Sequence, residues 1–451
     1  MNPAISSSSS TFGLLVKTSP HYRTLLIPAN SISIRHCYYI ESLQKTSSAY
    51  LLFAKQKESQ ESFAIKILRR YQDTRYSMGT ANERQQYQLE ALHWNSMFAP
   101  GVYIGLARIH DWDFYQNILI LGESIANPTK EKLDPKAEYA LVMHSLPRER
   151  RLDFLLKNDN KITLQRHIRL LAEYVAYMHE KLTGPPVTGE DSLLWGSFEQ
   201  LQKKLQDNLA LLDLVVTTSE NGGSSSFHLR RDTLSQLLSQ SYRRSIEHSI
   251  KRSHDDLNLS SQLRDTLDRL KRNLLLVLRQ YPYKEYFNQR VQEQRIKRCH
   301  GDLKAPHIWI APYSNCLRGE PWKYVCVLDT IDFNLMFCNI DVLSDLAMLL
   351  IDLQARTKWF ELAKSMEDYY LMRTGQQDKV SRSVLNYYLV EKAIMWAAVS
   401  IIYDNLPELG LVYLEIAEQR MNNLMEGDLM WQADTLIAIP NASLLFANQS
   451  K

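Results

Sequence analysis

The feature that most constrains this chain is a change of apolar pattern near Pro147. From about Ile34 to Leu68 the stretches ISIRHCYYI, SAYLLFA and SFAIKIL alternate or are rich in β-branched residues. Polar breaks at Gln44 to Ser48 and Lys57 to Ser62 part them, which predicts strands joined by hairpins. Asn82 to Phe98 has no breaker and stops before Pro100, so a helix is expected there, although Tyr87, Leu89, Leu92 and Trp94 keep no single spacing. Val102 to Ile109, Asn117 to Gly122 and Tyr139 to Met143 read as further strands. Residues 34–144 therefore form a small strand-rich lobe around one main helix.

Beyond Pro147 the apolar residues recur at helical intervals, first through Ile168, Leu171, Val175, Tyr177 and Met178 up to the breakers Gly184, Pro185 and Pro186. Stripes over Phe198 to Thr217, Asp232 to Arg279, Trp359 to Tyr370, Val380 to Tyr403 and Leu411 to Leu429 predict a large, mostly helical lobe over residues 145–451. Within it, HIWI and YVCVLD return to strand character before the helical DVLSDLAMLLIDL. The fold expected is α+β and bilobal. Residues 1–33 read as a flexible leader, and the Gly- and Ser-rich tract around residues 218–227 as a mobile loop.

With 451 residues, a prior of roughly 150 per domain gives about three units, or two with one large. Fifty-three Lys and Arg against fifty Asp and Glu give a net charge of +3, which names no partner. Between His228 and Arg298, sixteen basic residues face eight acidic ones, a local excess compatible with an anionic small-molecule acceptor. Nucleic acid is not expected, because no recognised module accompanies the basic helices. Apolar runs such as Leu274 to Leu278 and Leu346 to Ile351 are far shorter than a bilayer-crossing helix, so no membrane partner is expected. Five cysteines without a CxxC pair fit a reducing compartment, and a cytoplasmic protein is expected.

The densest set of polar groups between apolar segments is His300, Gly301, Asp302, Lys304 and His307, with Asp329 and Asp332 following YVCVL. If the two flanking strands pair as a hairpin, carboxylates from both ends are brought together. One carboxylate then orients or deprotonates a hydroxyl, the other holds a divalent cation, and Lys304 offsets charge on a transferring phosphoryl group. Upstream, alternation turns Lys66 in FAIKILRR away from its immediate neighbours, where an ammonium can hold phosphates as a point charge.

CHGDLKAPHI, Cys299 to Ile308, resembles the catalytic loop of the aminoglycoside phosphotransferase and choline kinase-like family within the protein-kinase-like superfamily. VLDTIDFN followed by IDVLSDLAMLLIDL is similar to that family's metal-binding segment and the helix after it, closest to a bacterial branch. The resemblance implies a protein-kinase-like fold, ATP as phosphoryl donor, Mg2+ with Mn2+ as the alternative, and transfer to a hydroxyl of a small molecule. It makes Asp302 the catalytic-loop aspartate and Lys304 its catalytic companion. Asp329 becomes the metal ligand, while His300, Asp341 and Asp345 become structural residues. Lys66 and Glu90 become an ATP lysine and its ion-pair partner, and Met143 ends the strand entering the adenine-binding hinge.

Two departures stand out. The family's Asn, five residues after the Asp and a second metal ligand, is His307 here. The turn before Lys66 reads LQKTSS and carries no glycine pattern; Thr46, Ser47 and Ser48 are the groups left there to face a phosphate. The rival reading is therefore a degenerate kinase-like module that binds nucleotide or a protein with little catalysis. A metal hydrolase using His300, Asp302, His307 and Asp329 leaves Lys66, Glu90 and Lys304 without a task.

Overall fold

The computed structural model describes residues 35–46, 48–70, 78–129, 133–220, 257–311, 324–331, 335–357, 359–402 and 406–425. The leader, Ser47, most of the Gly- and Ser-rich tract, residues 228–256 of the basic segment and Asp332 lie outside the described residues. The chain divides into two compact units, one drawn from residues 1–71, 78–92 and 101–145, the other from 72–77, 93–100 and 146–451. The first is sheet with one long helix and the second mostly helix, so the α+β, two-lobe architecture expected of the sequence is the one observed.

In the first unit β1 (Arg35–Lys45), β2 (Ala49–Gln56), β3 (Ser62–Leu68), β4 (Tyr103–Asp113), β5 (Ile118–Gly122) and β6 (Tyr139–His144) pair antiparallel in the order β1-β2-β3-β6-β4-β5. The sheet then closes on itself, because Arg35 to Tyr39 of β1 pair with Gly122 to Ile118 of β5. The sequence predicts these strands but not the barrel. Register shifts at Ile40/Ser42, Tyr103/Gly105 and Ile109/Asp111 mark the bulges that bend strands enough to close a small sheet. At Gly105 a Cβ would stand 2.3 Å from the Ile125 carbonyl oxygen, so only glycine permits this approach. Leu52, Phe63, Ile65, Ile67, Leu119, Leu121, Ala140 and Val142 fill the interior.

Helix α1 (Ala81–Phe98), whose residues up to Leu92 belong to the first unit and whose last turns belong to the second, starts on a reciprocal cap: Glu83 N–H donates to Thr80 Oγ1, and Thr80 N–H donates to Glu83 Oε2. Side-chain amides then hold it in place. Gln85 Nε2 donates to the Asp134 and Ala137 carbonyls, Gln88 Nε2 donates to that of Tyr139, and Arg84 pairs with Glu138. Polar docking of this kind explains why its sequence shows no apolar stripe.

The second unit runs through α2 (Leu152–Asn158), α3 (Lys161–Tyr177), α4 (Glu190–Gly196), α5 (Phe198–Glu220), α6 (Leu257–Gln280), α7 (Tyr283–Gln292), α8 (Val342–Arg356), α9 (Phe360–Thr374), α10 (Lys379–Ile402) and α11 (Pro407–Met425). Four three-residue strands, β7 (Ile296–Arg298), β8 (Ile308–Ile310), β9 (Val325–Val327) and β10 (Asn339–Asp341), form the antiparallel pairs β7–β10 and β8–β9. Val342 to Ala355 of α8 are buried without exception, so this helix is wrapped on all sides rather than laid on a surface. α10 corrects the sequence-based reading of apolar length: it is long and apolar enough to cross a bilayer, yet 78% of its most apolar window is buried inside the structure. Its apolar character serves the core.

Candidate active site

The loop from Cys299 to His307 leaves β7 and enters β8, and α8 dictates its shape. Asp345 Oδ2 accepts from His300 N–H at 3.0 Å and Oδ1 from Gly301 N–H at 2.9 Å, so one buried carboxylate grips two successive backbone amides. Its second partner side is His179, whose Nε2 lies 3.1 Å from Oδ2 and whose Nδ1 meets the Tyr370 hydroxyl at 2.8 Å. Burial pushes the Asp345 carboxyl up, but the hydrogen bond from His179 and the loop amides hold it below the ordinary carboxylate range. Gly301 has φ +85°, and a Cβ there would meet the Phe337 carbonyl oxygen at 2.5 Å, so the turn requires glycine.

His300 is fully buried, and its tautomer follows from its partners. Asp302 N–H donates to Nδ1 at 3.2 Å, which places the ring hydrogen on Nε2, 3.0 Å from the Leu328 carbonyl. Burial brings its pKa down to about 4, so the ring is neutral at pH 7. One imidazole thus ties the HGD turn to the strand that leads into Asp329. Further along, Asp352 Oδ2 accepts from Ala305 N–H at 2.7 Å, fixing the Ala305–His307 turn.

Asp302 emerges from this scaffold with about a quarter of its side chain exposed. Lys304 Nζ contacts its Oδ2 at 2.8 Å and rests 4.9 Å from the centroid of the Trp396 ring. Burial raises the Asp302 carboxyl, and Lys304 with His307 outweighs this and holds it below the usual range. His307 Nδ1 donates to the Asp302 carbonyl at 3.0 Å, so the lone pair lies on Nε2, 3.7 Å from Asp329 Oδ2. Burial, then the Lys304 charge, lowers the His307 pKa and keeps the ring neutral near pH 7.

Asp329 has φ +62°, a strained value for any residue but glycine. Its neighbours enforce it: Leu328 N–H donates to the His307 carbonyl at 2.9 Å, and Thr330 N–H to Asn95 Oδ1 at 3.1 Å. The β8–β9 pair therefore sets Asp302 and Asp329 on the two sides of one imidazole.

Asp341 does not touch the loop amides. It caps α8 by accepting from Leu343 N–H and receives Arg290 through two contacts of 2.8 and 2.6 Å. In the first unit, Lys66 is half-buried on β3 opposite Leu141, and Met143 is buried on β6 opposite Ala64. Phe63, Ile65, Ala140 and Val142 belong to the barrel core, so Lys66 and Met143 share its outer face. Glu90 is exposed on α1. Thr46, in the turn before β2, has spent its N–H and hydroxyl on Ala49.

Sequence reasoning did not single out Asp352, Arg290 or Asn95, and it reads His179, inside a helical pattern, as a packed or surface side chain rather than a ligand. For Asp352 a signal existed: Asp341, Asp345 and Asp352 stand at i, i+4 and i+11, one face of a helix. His179, Cys299 and Asp345 also cluster within 4.8 Å. Every polar atom there is already engaged, and burial pushes the Cys299 thiol well up, so the cluster acts as a hydrogen-bonded core rather than a thiolate metal site.

No protein-family model and no curated protein sequence matches the chain. Among solved structures it is similar to an ethanolamine kinase from Plasmodium vivax, at 12% identity and a TM-score of 0.40, over 86% of this chain and 82% of that one. It is also similar to an aminoglycoside phosphotransferase from Alicyclobacillus acidocaldarius, at 11% identity and 0.38, over 90% and 97%. A third is a glucosamine kinase in complex with glucosamine, ADP and inorganic phosphate, at 11% and 0.35, over 86% and 93%.

Proposed function

We propose that the chain is an ATP-dependent phosphotransferase of the protein-kinase-like superfamily that moves the γ-phosphate to a hydroxyl of a small molecule. The observation that carries this reading is the clasped Asp302: a carboxylate on a turn gripped by Asp345, charge-paired with Lys304, and bracketed with Asp329 around His307.

Asp302 is held ionised, which makes it a weak base and a good acceptor. Its main task is to orient the acceptor hydroxyl by accepting its hydrogen bond, taking the proton as the oxygen–phosphorus bond forms and the bond to the β-phosphate oxygen breaks. ADP leaves, and Asp302 returns its proton to water. Lys304, already in contact with Asp302, supplies positive charge beside the transferring group. In the first unit, Lys66, Glu90 and Met143 are the nucleotide-binding residues of this reading.

The donor set suits a divalent ion, since Asp329 offers an exposed oxygen and His307 Nε2 a lone pair turned toward it. An imidazole in place of an amide oxygen favours Mn2+ over Mg2+. Asp329 and His307 would hold such an ion, which would supply charge neutralisation at the phosphates.

Binding is tested by thermal shift with ADP or ATP in Mg2+ and in Mn2+, and absence of any shift under both cations refutes the reading. For Asp302→Asn, turnover is expected to fall at least about 30-fold, roughly 2 kcal/mol of transition-state stabilisation, with nucleotide affinity unchanged. His307→Asn is expected to raise Mg2+-supported turnover relative to Mn2+. The engaged Thr46 hydroxyl and amide favour the alternative, a nucleotide-binding module with little catalysis. A nucleotide-dependent shift without phosphate transfer is its signature.

A further inference from the structure

A non-glycine residue at φ +62° relaxes unless its surroundings over-determine it, and around Asp329 those surroundings converge on one buried cation, Arg298 of β7. After the left-handed residue, Thr330 and Ile331 meet the start of the HGD loop. Thr330 Oγ1 donates to the His300 carbonyl at 2.8 Å, and Ile331 N–H donates to the same oxygen at 3.1 Å. Arg298 closes the other side. Its Nη1 donates to the Cys299 carbonyl and, at 3.5 Å, to Thr330 Oγ1, while its Nη2 donates to the Ile331 carbonyl.

All three acceptors are neutral oxygens, and two of them are carbonyls of the separate segments that carry Asp302 and Asp329. Without a cation between them these carbonyls turn partial negative charge on each other, so the guanidinium joins the segments rather than filling space. A planar fork spans both oxygens at once, which a single ammonium does not. The end of α1 holds the fork in place. Trp94 covers its face, with the ring centroid 4.8 Å from Cζ, and the next residue, Asn95, accepts the Thr330 N–H at 3.1 Å. Gly184 leaves room for the stack, since a Cβ there would stand 3.0 Å from both Arg298 Cβ and Trp94 Cη2. Arg298 makes no hydrogen bond or ion pair with Asp302 or Asp329 among the described residues, so it acts on them through the backbone.

We propose that Arg298 is a positioning residue for the metal site: by joining the HGD loop to the turn after Asp329 it keeps Asp302 and Asp329 on the two sides of His307, and with them the affinity for a divalent ion. The identity of that ion's site rests on the phosphotransferase reading, and the test separates the two. The full chain and its Arg298→Lys, Arg298→Gln and Asn95→Ala variants are titrated with Mn2+ alone, the free ion being measured by electron paramagnetic resonance. Hydrogen exchange of the metal-free proteins is followed by mass spectrometry on the peptide from Tyr324 to Ile331 and on peptides of α8 and α10.

Arg298→Gln is expected to weaken Mn2+ binding by about tenfold or more, Arg298→Lys to fall between it and the unchanged chain, and Asn95→Ala to lie close to Arg298→Gln. Exchange over Tyr324 to Ile331 is expected to quicken in the same order, by about tenfold for Arg298→Gln, while α8 and α10 keep their rates. Unchanged Mn2+ affinity in the variants overturns the inference, and so does quickened exchange throughout the second unit, which makes Arg298 a core residue only. Where Arg298→Gln does not fold, Arg298→Lys and Asn95→Ala decide by the same two measurements. A thermal shift with ADP beside variants of unaltered Mn2+ affinity refutes this inference alone. A chain that binds neither Mn2+ nor ADP refutes the transferase reading, and the exchange rates then decide by themselves whether Arg298 holds the turn.

Discussion

His300 shows how much chemistry a single side chain settles in this fold. It is held neutral by burial, with its pKa at about 4, because Nδ1 must accept from Asp302 and Nε2 must donate to Leu328. The unfolded chain binds this proton near pH 6.5 and the folded one does not until about pH 4, so the unfolded state is favoured as the pH falls through that window. His300 alone is expected to remove about 3 kcal/mol of stability between pH 7 and pH 4. Urea titrations across that range check this, and His300→Gln flattens the dependence. The HGD residues were legible in the sequence because their spacing is distinctive. The partners that hold them, His179 and Asn95, were not, since they arrive from segments far along the chain.

Elements carry the next level of constraint, and α8 is the clearest case. A helix buried on every side spends its three aspartates in different ways: Asp341 on Arg290 and its own cap, Asp345 on the HGD amides, Asp352 on Ala305 and Arg356. Arg290→Met leaves Asp341 buried without its cation and is expected to cost about 3–5 kcal/mol in urea unfolding. Adding Asp341→Ser, which keeps a capping oxygen and removes the charge, is expected to recover more than half of that loss. Strands and long helices were readable from alternation and stripes. α1 was readable only by its lack of breakers, because glutamine amides dock its first half and its buried apolar residues, Ala91, Leu92 and Phe98, gather toward its end without a regular stripe.

At the scale of the molecule, the two-unit plan followed from the change of pattern near Pro147, whereas closure of the first unit depends on register, which alternation does not encode. Hydrogen exchange tests it: amides of Arg35 to Tyr39, paired with β5, are expected to exchange as slowly as those of β3, and fast exchange confined to β1 marks an open sheet. In the second unit the ring beneath Lys304 is itself supported from late in the chain, since Trp396 stacks on Tyr413 of α11 at 6.1 Å and α11 packs against α6 and α10. Translation delivers the HGD loop well before that support. A ribosome therefore carries a nascent chain in which Asp302, Lys304 and Asp329 are all synthesised but whose floor is missing, and its bare apolar helices are expected to bind chaperones until Pro407–Met425 emerges.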